Sequence, residues 1–207
     1  MNNKLIDALV EDLQPVKRPS PWAAPRLFLA CLLTTLIFAW LMRGNRMLAA
    51  DPTLTLWSWL KLLPFALGAV ACVWLTCDTT IPARRTRRWI TTLLIAAVLI
   101  LISFVTAGLM SPDANVLNPS AFGCVRSIVI FAIPPLAFML WFARQRATTH
   151  PAFAGACAGA AAGLLGSLAY GMSCRIDGLA FISVWYATGI LAVATIGSLL
   201  GPRILRW

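Results

Sequence analysis

The sequence predicts an all-α integral membrane protein, a bundle of six transmembrane helices, and three observations support this fold class. Of the 207 residues, 60% are hydrophobic and only 12% are charged, a composition that a soluble domain of this length could not solvate. The apolar residues form runs close to the roughly 20 residues that cross a bilayer core. Basic residues and tryptophans gather beside these runs, as they do at the ends of membrane helices.

Each apolar run indicates a helix, because the strands of a membrane barrel would be about half as long. The predicted spans cover residues 27–42, 56–76, 89–110, 123–143, 151–172 and 179–200. Residues 1–25 are mixed polar, so we expect a cytoplasmic N-terminal segment and no cleavable signal peptide. Residues 26–207 then form the transmembrane domain. Prolines inside spans predict kinks at Pro64, Pro134 and Pro135.

The distribution of basic residues predicts the orientation. With the N-terminus inside, the inner side holds twelve of the 17 lysines and arginines, including the run 84–88, and the outer side holds five. Both termini are therefore expected in the cytoplasm of a bacterium, with the chain in its inner membrane. The net charge of +10 could also indicate nucleic-acid binding, but the basic residues flank spans as anchors, so no direct nucleic-acid contact is expected.

Two of the six cysteines differ from the rest in their predicted position. Cys31, Cys72, Cys77 and Cys157 fall within spans or at inner ends, without C-x-x-C spacing, and are interpreted as small packing residues. Cys124 and Cys174 fall at the outer ends of consecutive spans, on the oxidising side. Antiparallel neighbours can bring two Cα atoms to the roughly 4.4–6.8 Å of a disulfide. The pair is either a structural link or a redox- or metal-responsive site, and flanking arginines would favour a thiolate.

Neither a catalytic site nor a cofactor site is predicted. The chain has one histidine, His150, and lacks nucleotide-binding and metalloprotease motifs, so we expect no enzyme and no cofactor. No Asp or Glu lies deep in a predicted span, which argues against an ion-coupled transporter. Span 5 carries Gly155, Gly159 and Gly163 on one smooth face, which could pack within the chain or form a homodimer.

The N-terminal segment has the pattern of a short amphipathic helix. One face of this helix collects the apolar residues Leu5, Ile6, Leu9, Val10 and Leu13, and the other collects Lys4, Asp7, Glu11 and Gln14. Pro15 ends it, and further prolines make an extended tether. A helix this short needs a surface to cover. Anionic lipid would repel its acidic polar face, so docking into a groove of a cytoplasmic protein is favoured over lying on the membrane.

In these features the chain resembles the NrsF family of membrane anti-sigma factors, and the resemblance covers nearly the whole sequence. The shared pattern comprises Leu5-Ile6-Asp7-Ala8-Leu9, Asp12-Leu13, Pro15-Val16, six spans, Cys124, His150-Pro151, the glycine-rich span 5, Cys174, Phe181, Trp185-Tyr186, Gly189-Ile190 and the closing Arg203-Ile204-Leu205-Arg206-Trp207. Beside the second cysteine the family often has His-Cys-Pro-Glu, whereas this chain has Ser173-Cys174-Arg175-Ile176-Asp177. That departure favours thiol oxidation over metal coordination as the signal.

The resemblance implies a regulator that holds an extracytoplasmic-function sigma factor at the membrane through its N-terminus. It also implies release of that partner when an outer-facing cysteine pair, matching Cys124 and Cys174, senses metal or oxidative stress. The alternative is a membrane thiol oxidoreductase linked to quinone. Such an enzyme usually needs two exchanging cysteine pairs, whereas only two cysteines are predicted to face outward here.

Overall fold

A computed structural model of the chain describes residues 22–43, 62–79, 121–146, 148, 150–172 and 179–205, together with positions 91, 95, 98 and 102. These residues form five helices, which are α1 (Ala23–Arg43), α2 (Leu63–Thr79), α3 (Ala121–Arg144), α4 (Pro151–Gly171) and α5 (Leu179–Ile204). Four of them, α1, α3, α4 and α5, are long and apolar enough to cross a membrane, and α2 is a shorter apolar helix. The all-helical class is confirmed, whereas the described residues do not support a count of six.

The first helix is longer than the sequence predicted. We expected a span of 27–42, which is short for a crossing, but α1 begins at Ala23 and contains 21 residues. At 1.5 Å per residue this is roughly 30 Å, the thickness of a hydrocarbon core. Pro25 is tolerated because the first turn of a helix needs no internal N–H partner. Arg26, which made the run look shorter, is exposed.

The second predicted span, 56–76, corresponds to α2 but is displaced along the chain. Pro64 is the second residue of this helix, where a missing N–H breaks no internal hydrogen bond, so the predicted kink there is wrong. Pro134 and Pro135 do lie inside α3. The third predicted span, 89–110, lies outside the described residues except for positions 91, 95, 98 and 102, which are helical and exposed.

Helix α4 is the centre of the bundle and packs against each of the other four helices. Of its apolar stretch 67% is buried, against 22% for α1. Its glycine face lies on the backbone of α5, where a methyl group added at Gly159 would be 2.5 Å from the carbonyl oxygen of Val193. Only glycine permits this approach. From the sequence, this glycine face could pack within the chain or form a homodimer. In the structure it packs within the chain.

Two clusters of buried side chains divide the bundle along its length. The first-end cluster, near Arg144 and Pro151, contains Leu27 of α1, Cys77 of α2, Leu140 of α3 and Ala158 of α4. The second-end cluster, near Ala121 and Gly171, contains Ala39 of α1, Phe65 of α2, Cys124 of α3 and Tyr170 of α4. Helices α1 and α4 therefore run from the first end to the second, and α2 and α3 run back.

Candidate functional site

Cys124 lies in the first turn of α3 and is the one candidate sensing residue that the structure describes. Its side chain is only 1% exposed and belongs to the second-end cluster. The cluster is rich in aromatic side chains, contributed by Phe65, Phe131, Tyr170, Phe181 and Tyr186. The thiol thus lies in a packed apolar interior, at the same end of the bundle as the last turn of α4.

The Cys124 thiol has a polar partner inside this cluster. Its Sγ atom is 3.0 Å from the hydroxyl oxygen of Tyr170, and either atom can donate. The Tyr170 ring packs edge-on against Tyr186, with ring centroids 5.7 Å apart. Tyr186 in turn packs against Phe65 at 5.5 Å. A continuous set of contacts therefore joins α3, α4, α5 and α2 at the position of the cysteine.

Close backbone approaches hold α3 against its neighbours one turn beyond the cysteine. Ile128 is fully buried, and a methyl group added at Gly166 of α4 would lie 2.8 Å from its carbonyl oxygen. A methyl group added at Gly189 of α5 would lie 3.1 Å from its Cγ2 atom. Gly166 thus lies against the backbone at Ile128 and Gly189 against its side chain, and these two contacts set the depth at which Cys124 meets Tyr170.

Arg126 follows Cys124 by two residues and is exposed. Two residues correspond to about 200° around a helix, so the guanidinium leaves α3 on the side away from the cysteine. This placement fits an anchor at the membrane surface. Helix geometry gives little support to the expectation that Arg126 activates the neighbouring thiol.

The other predicted site residues lie outside the described part of the chain. These are Cys174 and the apolar positions of the N-terminal segment, Leu5, Ile6, Leu9, Val10 and Leu13. The pairing of Cys124 with Cys174 stays a prediction, as does the docking face. Within the described ranges, His, Cys, Asp and Glu side chains form no group of three that could hold a metal ion.

The remaining cysteines are buried, as packing residues are. Cys31, Cys72 and Cys77 belong to the first-end cluster, and Cys157 of α4 is also buried. They lie toward the opposite end of the bundle from Cys124. The structure therefore separates these four thiols from the candidate sensing residue, in agreement with the prediction from the sequence.

Two residues at buried polar positions were missed by reasoning from the sequence. Tyr170 was treated as part of an apolar span, although a tyrosine inside a membrane helix normally has a hydrogen-bond partner, which was the available signal. Asp78 was placed beyond the predicted end of span 2 at residue 76. It lies in the last turn of α2 with a side chain only 7% exposed. The predicted span ended three residues before the helix does, at Thr79, and this error concealed a buried carboxyl group.

Comparison with known proteins identifies relatives over part of the chain. The anti-sigma-F factor NrsF of Caulobacter vibrioides is 36% identical over 84 residues, which cover 41% of this chain and 39% of that protein. A probable anti-sigma-F factor NrsF of Azospira oryzae is 37% identical over 84 residues, with the same coverage. Each alignment spans about two fifths of the curated relative. No solved structure matches the chain.

The match to a protein family is much longer than these alignments. The family described as NrsF, negative regulator of sigma F, matches residues 9–207. This range includes all five helices, Cys124, Tyr170 and the whole second-end cluster. It confirms the resemblance drawn from the sequence pattern. The chain belongs to the NrsF family.

Proposed function

We propose that the protein is an anti-sigma factor of the bacterial inner membrane. It binds an extracytoplasmic-function sigma factor through its cytoplasmic N-terminal segment and releases that partner in response to a periplasmic stress. The observation that carries this proposal is the family match over residues 9–207, on a chain whose described part is a bundle of apolar helices. The role is regulatory, and the partner of the bundle itself is the lipid bilayer.

The directions of the helices support six spans with both termini on the same side of the membrane. Helix α2 ends at the first end of the bundle, with Cys77 in that cluster, whereas α3 begins at the second end, with Cys124 in the other. If both helices cross the bilayer, residues 80–120 must cross it an odd number of times. The predicted span 89–110 provides one crossing. The total is then six, and an even number places both termini on one side.

The outward side chains of the bundle support lipid as its surroundings. Leu29, Leu33 and Ile37 of α1 and Leu191 and Leu199 of α5 are each about half exposed or more. On a soluble protein such rows of exposed apolar residues would favour aggregation. In a bilayer they contact acyl chains, which are as apolar as leucine.

The N-terminal docking element is proposed from its sequence pattern. Leu9, Val10 and Leu13 fall inside the family match, whereas Leu5 and Ile6 precede it. A stripe of apolar residues along three turns fits the groove of a globular partner. The chain between Leu13 and the start of α1 at Ala23 is rich in proline, so it would hold the docked partner near the membrane surface.

The proposed sensor is the pair Cys124 and Cys174. Helix α4 ends at Gly171, beside the cluster that contains Cys124, and Cys174 follows Met172 by two residues. Two residues span at most about 7 Å, which supports a second thiol near the first. With a peroxide as oxidant, two thiols and one hydrogen peroxide give one disulfide and two waters, so sulfur loses two electrons and oxygen gains them. A soft metal ion would instead displace the two thiol protons.

Binding of the sigma factor can be tested by single substitutions on the two faces of the N-terminal helix. Leu9→Asp places a charge within the apolar stripe and should weaken partner binding by roughly 2 kcal/mol or more. The measurement is copurification of the sigma factor with the full-length protein from detergent-solubilised membranes.

Lys4→Ala on the opposite face is the matched control, and it should retain the partner. Equal retention by both variants would show that the apolar stripe does not bind the sigma factor. Failure of the unaltered chain to retain any sigma factor would contradict the proposed function itself.

A further inference from the structure

The contact between Cys124 and Tyr170 lies where the proposed sensor meets the rest of the bundle. Both side chains are buried, at 1% and 8% exposure, and the atoms involved are 3.0 Å apart. The two residues are on different helices and are separated by 46 positions in the sequence. A change at the sulfur atom of α3 therefore acts directly on a side chain of α4.

The Tyr170 ring extends this contact to the remaining helices. Tyr186 of α5 packs against it at 5.7 Å with an interplanar angle of 62°, and Phe65 of α2 packs against Tyr186. Helix α1 joins the same cluster through Ala39, and Phe38 packs edge-on against Phe131 of α3. Because α1 follows the N-terminal segment directly, the set of contacts connects the cysteine to the helix that carries the docking element.

We propose that Tyr170 is a positioning residue that couples the bonding state of Cys124 to the packing of α2 and α5. This inference rests on the proposed sensing role of Cys124. A disulfide or a metal bond at Sγ replaces the thiol proton and redirects the sulfur toward its new partner. The Tyr170 hydroxyl then loses the geometry of its present contact. The ring is packed against Tyr186 within a filled cluster, so a hydroxyl that gives up its contact with the moving sulfur reorients the ring against Tyr186.

Tight packing makes this reorientation consequential. Protein interiors do not deform continuously, so a ring that turns within a packed cluster shifts its neighbours between discrete arrangements. The shared property of both candidate signals is a new bond at Sγ. The same coupling would thus serve an oxidant or a metal ion. The response of the protein to each of them shows which one is the signal.

The test compares Tyr170→Phe with Cys124→Ser, each in the full-length membrane protein in its native host. A reporter gene driven by the sigma factor is measured with and without hydrogen peroxide, and separately with and without zinc ion. Tyr170→Phe keeps the ring and removes the hydroxyl. Coupling between sites commonly corresponds to a factor of about five or more, so induction should fall at least about fivefold under whichever signal induces the unaltered protein.

Three further measurements separate coupling from damage to the fold. Alkylation of Cys124 by N-ethylmaleimide in membranes should reach the same extent in Tyr170→Phe as in the unaltered chain. The double variant should respond like Cys124→Ser alone, because both changes interrupt one path. Ser167→Ala removes a buried hydroxyl from the same helix, one with no hydrogen bond to another described residue, and should induce normally.

The outcomes distinguish this inference from the function on which it rests. Normal induction in Tyr170→Phe, together with lost induction in Cys124→Ser, overturns the role of Tyr170 and leaves the sensor intact. An equal loss in Ser167→Ala also overturns it, because the effect would then follow from any lost hydroxyl. Normal induction in Cys124→Ser overturns the proposed sensor and this inference together.

Discussion

Cys124 carries a thiol, a group that can form covalent or metal bonds, and only 1% of its side chain is exposed. Its side chain belongs to a cluster rich in aromatic residues, and its sulfur has a hydroxyl group at 3.0 Å. Chemistry at such a sulfur requires the cluster to open or rearrange, so its bonding state and the packing of the second end cannot be independent. A surface thiol, which could react without moving any neighbour, would make a poorer signal to the rest of the molecule.

The first prediction concerns the cysteine pair. Cys124→Ser, Cys174→Ser and the double variant should give the same loss of stress response, because removing either partner removes the pair. The measurement is sigma-dependent reporter activity across a series of oxidant doses. Additive effects of the two substitutions would indicate two independent residues, and normal induction in the double variant would end the sensor proposal.

At the scale of helices, the sequence predicts where each helix lies along the chain better than it predicts which helices pack together. The bounds of α3 and α4 were predicted within two residues, because Arg144 and Pro151 mark the end of one and the start of the other. For α2 the apolar run begins before the helix, and it stops before Asp78 although the helix continues to Thr79, so Asp78 was misplaced. The glycine face of α4 is visible as a spacing, but spacing does not reveal that α5 covers it. For the same reason, the contact of Cys124 with Tyr170 could not be predicted.

The second prediction tests the approach of α4 to α5. Gly159→Ala should destabilise the bundle by roughly 1–3 kcal/mol, because the added methyl group would meet the backbone of Val193 and Ala194 at 2.5 and 2.8 Å. Gly123→Ala is the matched control, since a methyl group there has no neighbour within 4 Å. Thermal unfolding of the purified protein in detergent measures both. A Gly159→Ala variant as stable as the control would contradict the close packing.

At the scale of the whole molecule, the bundle joins two ends with different compositions. The first end holds most of the buried thiols and the second holds the tyrosines with Cys124. If the long apolar helices cross the bilayer, as their length allows, the two ends lie on opposite sides of it. A chemical event at the second end would therefore occur across the membrane from the segment proposed to bind the sigma factor.

The third prediction concerns this arrangement. A reporter enzyme active only in the periplasm should be inactive when fused after Trp207 and active when fused at Asn115. The twelve-to-five distribution of basic residues supports this result. It is also supported by the helix directions, because α3 begins at the second end and α4 begins at the first end. The reverse pattern of activity would place Cys124 in the cytoplasm and remove the oxidising environment on which the pair depends.

The central position of α4 also affects how the protein is made. The ribosome synthesises α1, α2 and α3 before the helix around which they pack. Those three helices can contact one another, but the faces that α4 covers, including that of Cys124, stay uncovered until Gly171 has entered the membrane. Until then the inserted helices offer those faces to lipid and to membrane proteases. A nascent chain that stops before Pro151 should accordingly be degraded quickly, whereas one that reaches Ile204 should persist.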